Sequence, residues 1–214
     1  MSFKTKAFSL DIPEKGGSNI VIVAASRSGK TCLMKYIYHT YFKKHITTLF
    51  TMNPHAEIYK DLPEKINISE RFHPEIIHDM YEINKLTDNS QDFFIISDDY
   101  VDNLIKISPE VTRLMTIYRN SNLSSLFSFQ GRTLLSAVGR NNAHYILVGR
   151  QNTPKEYECV IKEFLSGWLP VGMTMAEMVR FVGEAVQGHQ FFLINNLSGE
   201  CHLTKLSPRQ AGLV

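Results

Sequence analysis

The sequence predicts an α/β fold with a mostly parallel central sheet and helices on both faces. Short apolar runs, rich in β-branched and aromatic residues, alternate with longer stretches in which apolar residues recur every three or four positions. The runs have the composition of buried strands, and the longer stretches are typical of amphipathic helices. Because parallel strands need a crossover connection, this alternation favours a sheet that is covered on both sides.

The strongest local pattern lies near the N-terminus. A strand or an extended segment over residues 7–12 and a glycine-containing turn at 15–18 precede a β-branched strand at 20–23. The sequence Ala-Ala-Ser-Arg-Ser-Gly-Lys-Thr follows at 24–31, and apolar spacing then predicts a helix that ends near 43–45. A strand, a small-residue loop and a helix in this order match the phosphate-binding motif GxxxxGK[ST] of P-loop NTPases.

This loop predicts a site for nucleotide phosphates. Backbone N–H groups of such a loop, with the N-terminus of the helix, hold the β- and γ-phosphates. Lys30 would neutralise phosphate charge, and the Thr31 hydroxyl would bind Mg²⁺. Ala24 replaces the first glycine of the motif, which is compatible if its φ angle stays below zero. The predicted nucleotide-binding residues are Ala24, Ala25, Ser26, Arg27, Ser28, Gly29, Lys30, Thr31 and Cys32.

Two carboxylates end a later buried strand, predicted at 93–99. The chain before it is predicted as a strand at 46–52, an irregular segment at 53–70 and an amphipathic helix at 72–83. Asp98 would hold Mg²⁺ through water, and Asp99 would orient or deprotonate the attacking water. The same acids could instead cap the helix that follows, where Asp102 would serve equally well.

Gln130 follows the next strand, predicted at 123–129. The chain before this strand is predicted to be helical over 101–118 with a break near Ser108, because Pro109 is favoured in the first turn of a helix. A neutral polar side chain at this strand end can hydrogen-bond both a γ-phosphate and the attacking water, as a sensor residue does. Taken alone, Gln130 would be a surface residue, so this hypothesis depends on the two earlier motifs.

The remaining pattern predicts the C-terminal part of the fold. It comprises a helix at 133–138, a strand at 144–148, helices at 155–165 and 175–186, and strands at 191–195 and 201–206. Asn-Leu-Ser-Gly at 196–199 joins the last two strands and is a hairpin signal. We expect one domain over 1–214, with a core at 1–153 and C-terminal helices and a hairpin at 154–214.

Composition argues against several other kinds of protein. The formal net charge of +2 is too small to predict nucleic-acid binding from bulk electrostatics. Cys32, Cys159 and Cys201 show no C-x-x-C spacing, which favours a reducing compartment over disulfides or structural zinc. No apolar run approaches the roughly 18–20 residues that a bilayer-spanning helix needs, so we expect a soluble protein without transmembrane insertion.

The arginines are unevenly distributed along the chain. Residues 111–155 contain no Asp or Glu. The same segment holds five of the nine arginines, namely Arg113, Arg119, Arg132, Arg140 and Arg150. This asymmetry suggests a surface that faces phosphates, either those of a neighbouring subunit's nucleotide or those of DNA. For any single arginine, a solvated loop position is an equally good interpretation.

Four ordered segments carry a family resemblance: 24–31, 95–99, 118–120 and 126–130. They resemble the FtsK–HerA superfamily, and within it the small genome-packaging ATPases of double-jelly-roll DNA viruses. The resemblance covers nearly the whole chain. It implies an ASCE-type, RecA-like three-layer core in which the strand that ends at Gln130 lies between the other two site strands.

The resemblance also implies a function. Members of this group form homomeric rings, here a pentamer or hexamer, and couple Mg²⁺-dependent ATP hydrolysis to translocation of double-stranded DNA into a preformed capsid. The expected partners are therefore DNA and a capsid or vertex protein, in the host cytoplasm and/or the virion. By position, Arg119 is the candidate arginine finger that reaches a neighbour's nucleotide, and Arg113 and Arg140 remain alternatives.

The sequence also has features of three other functional classes. A GTPase is discounted because Asn-Lys-x-x-Asp at 84–88 has the wrong spacing and precedes the acidic strand. A small P-loop kinase remains possible, since the arginines between 113 and 150 could form a lid over an acceptor. A nucleotide-gated assembly factor without translocation also remains, although Asp98, Asp99 and Gln130 together favour hydrolysis over binding alone.

Overall fold

One mixed sheet organises the part of the chain that the computed structural model describes, which is residues 3–100, 103–131, 135–207 and 210. Its nine strands are β1 Thr5–Ala7, β2 Asn19–Val23, β3 Ile46–Thr51, β4 Asn67–Ser69, β5 Phe93–Asp98, β6 Leu123–Phe129, β7 Tyr145–Val148, β8 Phe191–Asn195 and β9 Glu200–Lys205. They are arranged in the order β1-β9-β8-β7-β2-β6-β5-β3-β4. Strands β7 to β4 in this order are parallel, whereas β8 runs antiparallel to both β7 and β9.

Helices cover both faces of this sheet. They are α1 Lys30–Ile37, α2 Pro74–Leu86, α3 Asn103–Ile107, α4 Pro109–Thr116, α5 Ala137–Asn141, α6 Pro154–Val160 and α7 Met175–Ala185. Short π-helical turns extend α1 through Tyr38–Phe42 and α6 through Ile161–Leu165. No helix in the described ranges is long and apolar enough to span a membrane.

Strand β2 lies between two hydrophobic cores. Ile20 and Ile22 pack in the core that contains the apolar face of α1, including Leu33. Val21 and Val23 point the other way, into a second core that includes residues of α4, α6 and α7. Because alternate residues of a strand face opposite sides, a run that is apolar at every position is buried on both. Each such side chain stabilises the fold by about 1.5–3 kcal/mol.

The strand order confirms the fold class predicted from the sequence. Strand β6 lies between β2, which leads into the phosphate-binding loop, and β5, which ends at Asp98. This insertion of one strand between the two motif-bearing strands is the ASCE arrangement. The predicted C-terminal hairpin is also confirmed, since β8 and β9 pair along their length and extend the same sheet beyond β7.

Three local predictions are wrong in their placement. The first strand is Thr5–Ala7 and not 7–12, because Phe8 is buried through an edge contact with Tyr36 and not through strand pairing. The segment 53–70, predicted as irregular, contains β4, an edge strand too short to show a period. The helix predicted at 133–138 is α5 instead, which begins after the N-cap Ser136; residues 133 and 134 lie outside the described ranges.

Candidate nucleotide and magnesium site

The phosphate-binding loop, residues 24–31, connects β2 to α1. Ala24 does not have a positive φ angle, which confirms the condition set for an alanine in place of glycine. Its N–H donates to the carbonyl of Phe129 on β6. The space that its methyl group needs comes from Gly149, where an added Cβ would lie only 2.9 Å from the Cβ of Ala24. The usual glycine of the motif is thus replaced by an alanine that packs against a second glycine.

The end of the loop offers unused hydrogen-bond donors. Gly29 has a φ angle of 94° and turns the chain into α1. Within the described chain, the backbone N–H groups of residues 29–32 have no protein acceptor. The buried hydroxyl of Ser28 also has no hydrogen-bond partner among the described residues. Converging N–H groups at a helix N-terminus form a binding site for anions, and phosphate oxygens would satisfy them.

Lys30, Asp99 and Gln130, predicted as catalytic from three separate motifs, meet at this loop. Lys30 is only 3% exposed, and its Nζ atom lies 3.2 Å from Asp99 Oδ2. The same ammonium group donates to the carbonyl of Ala25 at 3.1 Å. Gln130 Nε2 donates to Asp99 Oδ2 at 2.9 Å. The three side chains lie close together because β2, β5 and β6 are parallel and their carboxyl ends lie on the same side of the sheet.

Asp99 is held in an incomplete environment. Its φ angle of 48° lies in the left-handed region, which an aspartate adopts at some cost. Its Oδ1 atom is buried without a hydrogen-bond partner in the described chain. Burial raises the pKa of Asp99, and the charge of Asp98 adds to this, although Lys30 opposes both. A carboxylate with a raised pKa and a free oxygen suits a general base better than a structural ion pair.

Asp98 has a different environment at the end of β5. It is 1% exposed, and both of its carboxylate oxygens accept hydrogen bonds from hydroxyl groups. Ser128 Oγ donates to Oδ1, and Tyr59 OH donates to Oδ2 at 2.8 Å. Burial and the nearby charge of Asp98 raise the pKa of the Tyr59 phenol, so this hydroxyl stays protonated. Asp98 is therefore a firmly oriented carboxylate.

The oxygen donors of this site fit a magnesium ion. Mg²⁺ prefers hydroxyl, carboxylate and water oxygens. Asp99 Oδ1 has no protein partner in the described part of the chain, and each oxygen of Asp98 keeps a lone pair beyond its one hydroxyl contact. Thr31 lies in the first turn of α1 and is half-buried. No direct hydrogen bond joins its hydroxyl to Asp98 among the described residues.

Two further residues contact the loop from the C-terminal part of the chain. Arg150 donates from Nη2 to the carbonyl of Ser26 at 3.0 Å. His189 Nδ1 lies 3.0 Å from the carbonyl of Ser28. No local motif marks either residue: the sequence indicates Arg150 only as one of a group of arginines and does not indicate His189. Their proximity to the loop depends on the pairing of β7 with β2 and of β8 with β7.

A cavity of about 370 Å³ adjoins the helix end of the loop. Its lining residues are Gly29, Cys32, Leu33, Gly188, His189, Phe191, Lys205 and Leu206. Cys32, predicted as the last nucleotide-binding residue, is exposed and lies on this cavity, not on the side of the two carboxylates. The cavity is mostly apolar, so the side of the loop away from Asp98 and Asp99 can accept the less polar part of a nucleotide.

Arg119 lies on the opposite side of the sheet, at the amino end of β6. It belongs to a 3₁₀ turn, Tyr118–Ser121, that precedes β6. A strand of this length spans roughly 20 Å, which separates Arg119 from its own subunit's loop. Its Nη1 atom lies 3.0 Å from His144 Nε2. Arg119 therefore lies far from the phosphate-binding loop of the same chain.

The other described arginines of the predicted phosphate-facing surface have different contacts. Arg113 pairs with Glu110, and Arg140 donates to the carbonyl of Leu135. Arg150, as described above, lies at the loop. Arg132 lies outside the described ranges. Among the described arginines, Arg119 and Arg150 lie at opposite ends of the strands, and a phosphate-facing surface formed by the others stays a prediction.

Comparison with known proteins supports the fold. No protein-family model matches the sequence, and no curated protein sequence matches it. Among solved structures, the genome packaging NTPase B204 of Sulfolobus turreted icosahedral virus 2, in complex with AMPPCP, is similar with a TM-score of 0.61 and 18% identity. The similarity covers 89% of this chain and 98% of B204.

Two larger proteins contain the same fold. The pCW3 conjugation coupling protein TcpA, solved with ATPγS, matches with a TM-score of 0.55 and 10% identity over 88% of this chain and 59% of TcpA. EccC of Thermomonospora curvata matches with a TM-score of 0.56 and 12% identity over 89% of this chain and 37% of EccC. The chain therefore has the P-loop NTPase fold that the sequence predicted, and it shares this fold with a viral genome packaging NTPase.

Proposed function

We propose that this protein is an ATPase that drives double-stranded viral DNA into a preformed capsid. One observation carries the proposal: the Lys30 ammonium, the Asp99 carboxylate and the Gln130 amide meet at a loop whose terminal N–H groups have no acceptor within the described chain. Nucleotide binding alone needs the loop and the lysine. A polar side chain and a carboxylate placed beside them serve to position and activate water.

The geometry supports a specific order of events. Without nucleotide, the Lys30 ammonium pairs with Asp99 Oδ2, and this pairing opposes the rise in the pKa of Asp99 that burial causes. Phosphate groups compete for the Lys30 ammonium because they carry more charge and also engage the N–H groups of residues 29–32. Asp99 is then released and can accept a proton from a water that Gln130 holds. Nucleotide binding would thereby activate the general base.

Magnesium completes the site in this proposal. Thr31 and Asp98 would hold the ion, which when bound neutralises charge on the β- and γ-phosphate oxygens. Ser128 and Tyr59 keep the Asp98 carboxylate in one orientation for this purpose. Asp98 thus serves the metal while Asp99 serves the water, although the two residues are adjacent in the sequence.

The proposal is tested by measuring phosphate release with Mg²⁺-ATP in the presence and absence of double-stranded DNA. A translocating motor should be stimulated by DNA, and light scattering with an ATP analogue should give the mass of a pentamer or hexamer. Phosphate transfer to a nucleoside would instead support a kinase. Tight ATP binding without turnover would support an assembly factor, and a strict monomer would contradict the motor.

Arg119 provides a test of the ring itself. As an arginine finger in trans, its replacement in Arg119→Ala should lower turnover by about 10³–10⁵-fold while nucleotide affinity stays nearly unchanged. Mixing this variant with Lys30→Met should restore part of the activity, because a mixed ring contains sites with an intact loop and an intact neighbouring arginine. Failure of the mixture to recover activity, with mixed rings shown by mass, would contradict a role of Arg119 in trans.

A further inference from the structure

We propose that Tyr59 is a positioning residue for Asp98 that tunes the affinity of the site for Mg²⁺. This inference rests on the proposed function. Tyr59 is far from every motif of the sequence, in the segment that was predicted to be irregular. Its side chain is nevertheless buried, and its hydroxyl lies 2.8 Å from Asp98 Oδ2.

The hydrogen bonds around Tyr59 have a defined direction. An ionised Asp98 can only accept, so the single hydroxyl hydrogen of Tyr59 must point to Oδ2. The contact of 3.1 Å between Tyr59 OH and Thr51 Oγ1 is then donated by Thr51. A chain therefore runs from Thr51 through Tyr59 to the carboxylate. Successive bonds in such a chain polarise one another and strengthen the last one.

Backbone hydrogen bonds fix the position of Tyr59. The residue ends a 3₁₀ turn, Glu57–Tyr59, that follows β3. Its N–H donates to the carbonyl of Ala56, and its carbonyl accepts from the N–H of Leu62. Thr51 is the last residue of β3, which pairs with β5 so that Thr51 lies opposite Asp98. The position of the phenol is thus fixed by the backbone of the turn and by Thr51, and not by the carboxylate alone.

The second oxygen of Asp98 shows why Tyr59 matters. Ser128 Oγ donates to Oδ1 and also accepts from the N–H of Asp99 at 3.1 Å. With one hydroxyl on each oxygen, rotation of the carboxylate is restricted, and each oxygen keeps a lone pair that could bind a metal ion. Partners that orient a ligand in this way typically change metal affinity by about 10–100-fold when they are removed.

The test is Tyr59→Phe, which removes only the hydroxyl. A fluorescent non-hydrolysable ATP analogue is titrated into the full chain in EDTA, and Mg²⁺ is titrated into the nucleotide-bound protein. We expect nucleotide affinity in EDTA to stay within about twofold and the half-saturating Mg²⁺ concentration to rise about tenfold. Tyr145→Phe is the matched control, because it removes another buried hydroxyl that donates a hydrogen bond, at the amino end of β7.

A second variant protects the test against misfolding of the first. Thr51→Val keeps the shape of the side chain but removes the hydroxyl that donates to Tyr59, so it should shift the Mg²⁺ response in the same direction by a smaller factor. Normal nucleotide binding with an unchanged Mg²⁺ response in both variants, or a tighter response, overturns the inference. If the unsubstituted chain binds no nucleotide, the proposed function fails and the inference fails with it.

Discussion

Helix α1 carries two buried lysines with opposite kinds of environment. Lys30 begins the helix at the phosphate-binding loop, and Lys35 lies in its last turn. Their side chains are 3% and 5% exposed. Each ammonium group has one carboxylate partner and one carbonyl partner. A fully buried lysine is rare unless it is paired, so both positions require a specific explanation.

The two pairs differ in how completely they are satisfied. Lys35 Nζ lies 2.6 Å from both oxygens of Asp61. Burial would raise the pKa of Asp61, but the hydrogen bond and charge of Lys35 outweigh it and lower the pKa. At Asp99 the balance is reversed: burial raises the pKa, and Lys30 at 3.2 Å does not compensate.

This difference separates a structural ion pair from a functional one. The ammonium group of Lys35 uses its donors on both oxygens of Asp61 and on the carbonyl of Ile58. This pair therefore connects α1 to the segment before β4. In the described part of the chain, the Lys30 pair keeps an oxygen without a hydrogen-bond partner and lies beside N–H groups without an acceptor. Ligand binding would stabilise a site that has such unpaired polar groups. Without the ligand, the protein is less stable than it would be with apolar side chains at these positions.

Lys30→Met tests the functional half of this comparison and has the largest expected effect. Turnover should fall by about 10²–10³-fold, since the cation that stabilises transition-state charge is lost. The free energy of unfolding should change by less than about 1 kcal/mol, because the side chain of Asp99 is 31% exposed and can be hydrated or take up a proton when its partner is lost. Phosphate release and urea unfolding measure the two quantities. A large loss of stability would show that Lys30 is structural after all.

The same two lysines show which residues can be predicted from the sequence and which cannot. Lys30 was predicted, together with Asp98, Asp99 and Gln130, because each belongs to a local motif at the end of a strand. Lys35 looks like an ordinary residue of a helix face, and nothing near it indicates that Asp61 will be its partner.

The residues that the sequence does not predict share one property. Tyr59, Arg150 and His189 reach the site through contacts between segments that are distant along the chain, so no period or spacing marks them. The alternation of strands and helices predicted the mostly parallel sheet. The position of β6 between β2 and β5 was implied only by the family resemblance. The short edge strand β4 was not, because three residues show no period.

Lys35→Met tests the structural half and should give the mirror-image result. Methionine keeps the apolar stem but removes the donors for Asp61 and for the carbonyl of Ile58, so unfolding should cost about 1–3 kcal/mol less. Turnover of the folded protein should fall by less than about threefold, since the turn that carries Tyr59 keeps its own backbone hydrogen bonds. Turnover that is lost without a loss of stability would contradict the separation of the two lysines.

The smallest expected effect, and the sharpest in sign, is the pH dependence of Asp61→Asn. The folded-state pKa of Asp61 is lowered, so its charge contributes stability that is present above the unfolded-state pKa of about 3.9 and is lost as the pH falls through the folded-state value. The unsubstituted protein should therefore be more stable than Asp61→Asn at neutral pH, and the two should converge in acid. Urea unfolding at a series of pH values measures this difference.

Asp99→Asn, measured in the same series, should behave in the opposite way. The folded-state pKa of Asp99 is raised, so its ionised form opposes folding at pH values above the unfolded-state pKa. Asp99→Asn should then be at least as stable as the unsubstituted protein at neutral pH. Any difference should disappear in acid, where Asp99 is neutral in both the folded and the unfolded state. If the two variants showed the same sign, the ion pairs at the two ends of α1 would be of one kind. The unpartnered oxygen of Asp99 would then not be held ready for a ligand.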